Sequence, residues 1–241
     1  MQGVADPNLE LVDATDRKSR LKIDTAIVFD RRKLAKVDTK NLIDRYGNDS
    51  LKAGTLITFV EPITKLPIHV VTSHWPGRQS APEYSTKRGK LGQYLWQEMR
   101  KLKKKVPDAH IILMGDYNDD PFAESLASFL LATRDRGLAQ KDSQFFYNPF
   151  WKRMGESTPS PLIGNDQSIC GTHFYGGGGT SRWFTFDQMI FSSSFLRDDG
   201  AAILDEAHSQ IVATPELRTH LLSAKSIFDH FPVRSIITLR A

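Results

Sequence analysis

Four short polar clusters stand in this chain where apolar runs stop or start. Asp229 and His230 are neighbours in Phe228-Asp229-His230-Phe231-Pro232, just ahead of the last apolar run. An adjacent carboxylate and imidazole can hold a metal ion with one side chain and take a proton with the other. Upstream stand His74 in Ser73-His74-Trp75-Pro76, Asp116 and Asn118 in Gly115-Asp116-Tyr117-Asn118-Asp119-Asp120-Pro121, and Asp187 in Phe186-Asp187-Gln188. Together these are the residue types of one hydrolytic site.

Each cluster has a chemical reading and a plainer structural one. Asp116 and Asn118, released from a strand by Gly115, can present an anion and a neutral donor to one phosphate or hydrated metal. The same residues also make a strand-terminating turn. His74 can donate to a phosphoryl oxygen as negative charge builds up there, and Arg78, four residues on, can do likewise or remain a surface arginine. Asp187 lies between two apolar runs, a costly place for an unpaired carboxylate. Pairing with His230 would fix the imidazole tautomer and leave its other nitrogen as a base of ordinary pKa, roughly 6.5. A strand-edge Asp187 facing solvent is the alternative. His173 and Tyr175 can reach a substrate from the loop at Gly176–Gly179, although aromatic residues of long loops also pack beneath them. That glycine run lacks the lysine and the strand-to-helix setting of a phosphate cradle.

The elements that must position these groups are legible from periodicity. Thr25–Phe29, Thr55–Val60, Pro67–Ser73, Ile111–Met114, Trp183–Phe186, Met189–Phe191 and Ser235–Leu239 read as strands. Leu91, Leu95, Met99, Leu102 and Val106 recur every three or four residues, which predicts an amphipathic helix. Phe122–Arg134 reads as a second helix, and residues 140–182 as an irregular stretch. Strand, helix and strand in succession from 68 to 114 argue for an α/β class, a sheet covered by helices. Residues 1–22 are a polar lead-in with order expected from Ile23, and no linker divides the chain, so 1–241 is expected to be one domain.

Composition bounds the rest. The chain has 241 residues, 40% hydrophobic and 25% charged, which excludes disordered, collagenous and coiled-coil classes. Cys170 is the single cysteine, so no intrachain disulfide or thiolate metal site can form, and a reducing, cytoplasmic setting is expected. No apolar stretch reaches the roughly 18 residues of a membrane span. Net charge is +4, concentrated in Arg100, Lys101, Lys103, Lys104 and Lys105, which reads as a solvated helix end or as a contact for a phosphate backbone.

The order of motifs, histidine at a strand end, Gly-Asp-Tyr-Asn-Asp-Asp-Pro, Phe-Asp-Gln-Met-Ile and finally Asp-His-Phe-Pro-Val, resembles the endonuclease/exonuclease/phosphatase superfamily, also called deoxyribonuclease-I-like. The likeness runs over roughly residues 23–239, and His-Trp-Pro-Gly-Arg and Gly-Thr-His-Phe-Tyr look most like its bacterial branch. It implies a four-layer α/β/β/α sandwich of two mixed sheets and a hydrolase of phosphate esters that uses Mg²⁺ or Mn²⁺, a nuclease among the candidates. By the same likeness His74 contacts the phosphate, Asp116 and Asn118 bind metal or position the phosphoryl group, Asp187 orients His230, Asp229 helps hold the metal, and His230 takes the water proton. Family members open with an asparagine-bearing strand and a second strand ending in Gln-Glu. Neither is present here, and Glu10 in Pro7-Asn8-Leu9-Glu10 is the one glutamate that stands as a candidate near that gap. The expectation is therefore an N-terminally incomplete sandwich. Its alternative function is a catalytically impaired relative that binds nucleic acid or a partner through a phosphate-binding cleft.

Overall fold

The β-branched and aromatic runs form the strands expected of them. A computed structural model of the chain describes residues 6–15, 25–155, 169–221, 223, 226 and 228–240. Its strands are β1 (Leu9–Asp13), β2 (Ala26–Asp30), β3 (Ala35–Tyr46), β4 (Asp49–Val60), β5 (Pro67–His74), β6 (His110–Asp116), β7 (Ala132–Thr133), β8 (Phe146–Tyr147), β9 (His173–Phe174), β10 (Trp183–Phe184), β11 (Asp187–Ser192), β12 (Ala202–Ile211) and β13 (Val233–Leu239). The helices are α1 (Thr86–Lys105), α2 (Arg136–Lys141) and α3 (Pro215–Leu221).

Seven strands make one mixed sheet in the order β3-β4-β5-β6-β11-β8-β7. β5 and β6 run parallel, so a crossover must join them, and α1 is that crossover. The alternate residues of β6 serve both faces, which is why Ile111–Met114 is apolar without a break. Ile111 and Leu113 pack with Leu91, Leu95 and Met99 of α1, while Ile112 meets Phe59, Val70 and Phe191 on the other side. At roughly 1.5–3 kcal/mol per fully buried large apolar side chain, these two cores carry most of the favourable folding energy.

The second sheet layer is built from two antiparallel ribbons, β1 with β2 and β12 with β13. Val12, Ala14, Ile27 and Phe29 of the first and Ala202 and Leu204 of the second close the core beneath the main sheet. Helix, main sheet and ribbon layers thus follow the expected α/β sandwich. α3 buries none of its residues. Among the described residues no helix is long and apolar enough to cross a membrane.

Two local expectations are corrected. Order begins before Ile23, because β1 lies within the lead-in; Val12 is its one buried residue, with Ala14 buried just beyond it, too little signal beside Asp6, Pro7 and Asp13. Residues 1–5 and 16–24, Ile23 among them, lie outside the described residues, as do 156–168 of the irregular stretch. The helix expected at Phe122–Arg134 is instead one π-helical turn, Ser125–Phe129, in which Leu130 N donates to Ser125 O at 3.1 Å. Leu131 then adopts a left-handed φ of 57°, and the chain turns into β7. Asp135 starts α2 by accepting from Leu138 N.

Gly115 sets the spacing of β5 and β6 just below the polar clusters. Its φ is +144°, and a Cβ there would lie 1.9 Å from Ser73 O. Gly115→Ala should therefore destabilise the protein by about 3 kcal/mol, read as a lower urea midpoint at unchanged slope.

Candidate active site

Register brings the first three site residues into one row. His74 pairs with Asp116 across β5 and β6, and Asp116 pairs with Asp187 across β6 and β11. Neighbouring strands lie about 4.8 Å apart, so residues at equal register become lateral neighbours whatever their separation in sequence. His74 Nε2 stands 3.8 Å from Asp116 Oδ2. His230 arrives from the far end of the chain, held against β9 by a bridge to His173 and by Phe231 N donating to Thr172 O at 2.7 Å. His230 Nδ1 donates to Asp187 Oδ2 at 2.6 Å.

His74, Asp116, Asn118, Asp187, Asp229, His230 and His173 all line one cavity of about 690 Å³. Asn118 holds a left-handed φ of 51°. Its backbone N donates to Asp116 Oδ1 at 2.8 Å, and its Nδ2 donates to Asp116 Oδ2 and Trp75 O at 3.0 Å each. Both amide donors are thereby spent within the protein, so Oδ1, an acceptor, is the atom that Asn118 has left to offer. The segment forms the turn, and that turn places Asp116 and Asn118 at the cavity.

Electrostatics follow from that crowding. Burial and the charge of Asp187 push the Asp116 carboxyl above its ordinary range, against the pull of His230, the Asn118 amide and His74. Burial pulls the His230 imidazole down, but the bond to Asp187 and the charges of Asp187, Asp116 and Asp229 outweigh it, raising its pKa to about 8. His173 moves the opposite way, lowered by burial and by His230.

A folded pKa above the ordinary 6.5 means that the charged form stabilises the fold. That contribution is complete below pH 6.5 and is lost as pH rises through about 8. In metal-free protein, imidazole NMR should show His230 titrating near 8, and Asp187→Asn should bring it down toward 6.5. The stability gap between the two proteins in urea should narrow from pH 6 to pH 9.

Arg78 is placed elsewhere than the first cavity. Its guanidinium lies 4.9 and 4.8 Å over the rings of Phe184 and Phe186 and pairs with Glu83 at 3.3 Å and Asp120 at 3.2 Å. It lines a neighbouring cavity of about 380 Å³ together with Tyr84, Phe122 and Trp183. Tyr175 is exposed and lines neither cavity, while His173 stacks on Phe186 at 5.4 Å and borders the first. The basic run Arg100–Lys105 lies at the C-terminal end of α1, whereas the N-terminal end of α1 supports the site.

Sequence reasoning missed the supports. Thr172 Oγ1 accepts from Phe186 N at 3.0 Å and Asp187 N at 3.1 Å, tying the strand of Asp187 to the segment that receives Phe231. Gln188 Nε2 donates to Asp119 O and Thr185 O. Arg88, 1% exposed, donates to Ala81 O, Tyr117 O and Pro76 O and pairs with Asp119 at 3.3 Å. One signal was available: Arg88 stands three residues before Leu91, on the apolar stripe of α1.

A family model described as Endonuclease/Exonuclease/phosphatase family matches residues 3–234. No curated protein sequence matches the chain. Among solved structures, D. rerio TDP2 complexed with single-strand DNA product superposes at a TM-score of 0.57 with 13% identity, over 96% of this chain and 78% of that one. The Bacteroides thetaiotaomicron mannosyl-6-phosphatase gives 0.54 and 13%, over 97% and 78%. The human Nocturnin catalytic domain with bound sulfate gives 0.53 and 15%, over 89% of this chain and 63% of that domain. At these identities the likeness to solved structures is one of fold.

Proposed function

Since the chain belongs to the endonuclease/exonuclease/phosphatase family, we propose that it hydrolyses a phosphodiester, with Mg²⁺ or Mn²⁺ held at Asp116 and Asp229 and His230 taking the proton of the attacking water. One observation carries this reading: the 2.6 Å His230–Asp187 pair opens into the cavity that Asp116, Asn118, Asp229 and His74 also line. Asp187 fixes the tautomer, leaving Nε2 as the base and stabilising the imidazolium once the proton is taken. His74, at the edge of Asp116, donates to a phosphoryl oxygen where charge accumulates.

The residues present fit a hard cation. Three carboxylates and the Asn118 Oδ1 acceptor share the cavity, and burial and the charge of Asp187 push the Asp116 carboxyl up, a penalty that a bound cation would offset. Such a cation, when bound, screens the negative charge that develops on the phosphoryl group. The neighbouring cavity at Arg78, Tyr84 and Trp183 suits one of the two ester groups, a reason to favour a diester. The distance of Arg100–Lys105 from the cleft argues against one continuous nucleic-acid path through both.

The test is hydrolysis of bis(p-nitrophenyl) phosphate by metal-free protein with and without added Mg²⁺ or Mn²⁺. Nitrophenolate release should depend on the added cation and stop with EDTA. Release that persists undiminished in EDTA, or none with either cation across a panel of diesters and monoesters, would sink the proposal.

A further inference from the structure

His173 serves neither of the catalytic roles above, yet its surroundings are those of a ligand. One donor atom each from His173, Asp229 and His230 lie within 4.8 Å of one another at the mouth of the cleft. Both imidazoles are anchored through Nδ1, which leaves Nε2 to a ligand: His230 Nδ1 donates to the Asp187 carboxylate at 2.6 Å, and His173 Nδ1 donates to the Asp229 carbonyl at 3.0 Å. A histidine that binds a metal donates its other ring N–H to a carboxylate or a backbone carbonyl in nearly every case, which fixes the tautomer and aims the remaining nitrogen. Here two histidines of one cluster carry that arrangement.

The backbone beneath them is tied as well, by the bridge between His173 and His230, and the His173 ring rests on Phe186 at 5.4 Å with the planes 18° apart. From these contacts we infer that His173, Asp229 and His230 form a second, nitrogen-rich cation site, for Zn²⁺ or a similar transition metal, and that filling it switches the enzyme off. The inference rests on the catalytic reading of the cleft and adds a regulator to it.

The chemistry of the donor set separates the two sites. Two imidazoles and one carboxylate, with a fourth position left open, match zinc, whereas the oxygen donors around Asp116 suit Mg²⁺ or Mn²⁺. Tetrahedral ligands at about 2.1 Å from a metal stand about 3.4 Å from one another, so side-chain rotations of about 1 Å close the cluster. The consequence is direct: a His230 Nε2 that has given its lone pair to a cation has none left for a proton. Asp229, shared by both sites, makes their occupants compete.

Co²⁺ alone, titrated into the metal-free full chain, should develop the visible d–d absorption of a four-coordinate ion, and Zn²⁺ should bleach it. His173→Phe keeps a ring on Phe186 and should abolish the absorption, weakening Zn²⁺ binding by calorimetry at least 100-fold, roughly the upper end of what losing even an outer-shell partner costs. Asp187→Asn should weaken it roughly 10- to 100-fold through the lost anchor. His173→Gln, expected to behave as His173→Phe, covers the case in which the phenylalanine variant fails to fold. Absence of Co²⁺ absorption in the unmodified chain, or a Zn²⁺ affinity in both His173 variants equal to that of the unmodified chain, overturns the site. Turnover that continues undiminished with Zn²⁺ saturating the cluster overturns its inhibitory role. The binding readouts need no turnover, so a chain that binds Co²⁺ yet cleaves no ester refutes the proposed reaction and leaves this site standing.

Discussion

His230→Ala should lower kcat/KM for a phosphodiester by about 10²- to 10⁴-fold, the contribution that a positioned general base makes. The side chain is partly buried at the wall of the cavity and held by Asp187 alone among the hydrogen-bond partners described for it. Removing it would leave the proposed cation and phosphate contacts at Asp116, Asn118 and Asp229 in place, so the loss should fall on kcat more than on KM. The accompanying pH profile has a definite direction. The base works unprotonated, and in the metal-free protein its pKa stands at about 8, so activity should climb from pH 6 toward pH 8. A bound cation nearby moves that limb to lower pH. Steady-state kinetics of the variant and a pH series on the unmodified chain check both points; a variant within threefold of the parent would remove His230 from the mechanism.

Arg88→Leu should produce the largest loss of stability, about 3–5 kcal/mol, the cost of leaving a buried charge without its partner. Arg88 and Asp119 are each 1% exposed and stand 3.3 Å apart. Burial pushes the Asp119 carboxyl up, and Ser125, Arg88 and Arg78 hold it down; without Arg88 it must be protonated or leave the core. At about 2–4 °C per kcal/mol for a chain of this length, the melting temperature should fall by roughly 6–20 °C. The same guanidinium holds the carbonyls of Pro76 and Tyr117, the segments just beyond His74 and Asp116. Activity measured well below the melting transition should therefore fall too, whereas a purely structural core residue would leave it unchanged. Thermal unfolding with kinetics at 15 °C separates the two effects.

β2, β4, β5, β6, β11, β13 and α1 were legible because their apolar runs or spacing suit the element that they form, with a period of 2 in β4 and 3.6 in α1, whereas the long strands β3, exposed over most of its length, and β12 were not read. β1 and the π turn at Ser125–Phe129 were not, since each rests on contacts with distant segments. β1 buries little besides Val12 and owes its order to pairing with β2, and the π turn packs under α1, where Gly92 lets Ser125 O approach to 2.0 Å of a would-be Cβ. Local propensity cannot register either.

For the site the division is similar. Residue types and their order were enough to single out His74, Asp116, Asn118, Asp187, Asp229 and His230, because charged groups beside apolar runs are costly unless something uses them. Their convergence depended on the parallel β5–β6 crossover and the β6–β11 pairing, which set residues 74, 116 and 187 at one register. Likewise, only the folded chain could send Arg78 to the neighbouring cavity and bring His173 to Asp229 and His230. A side chain's type is written locally, but which charges it meets is decided by strand order and register, and these are properties of the whole chain.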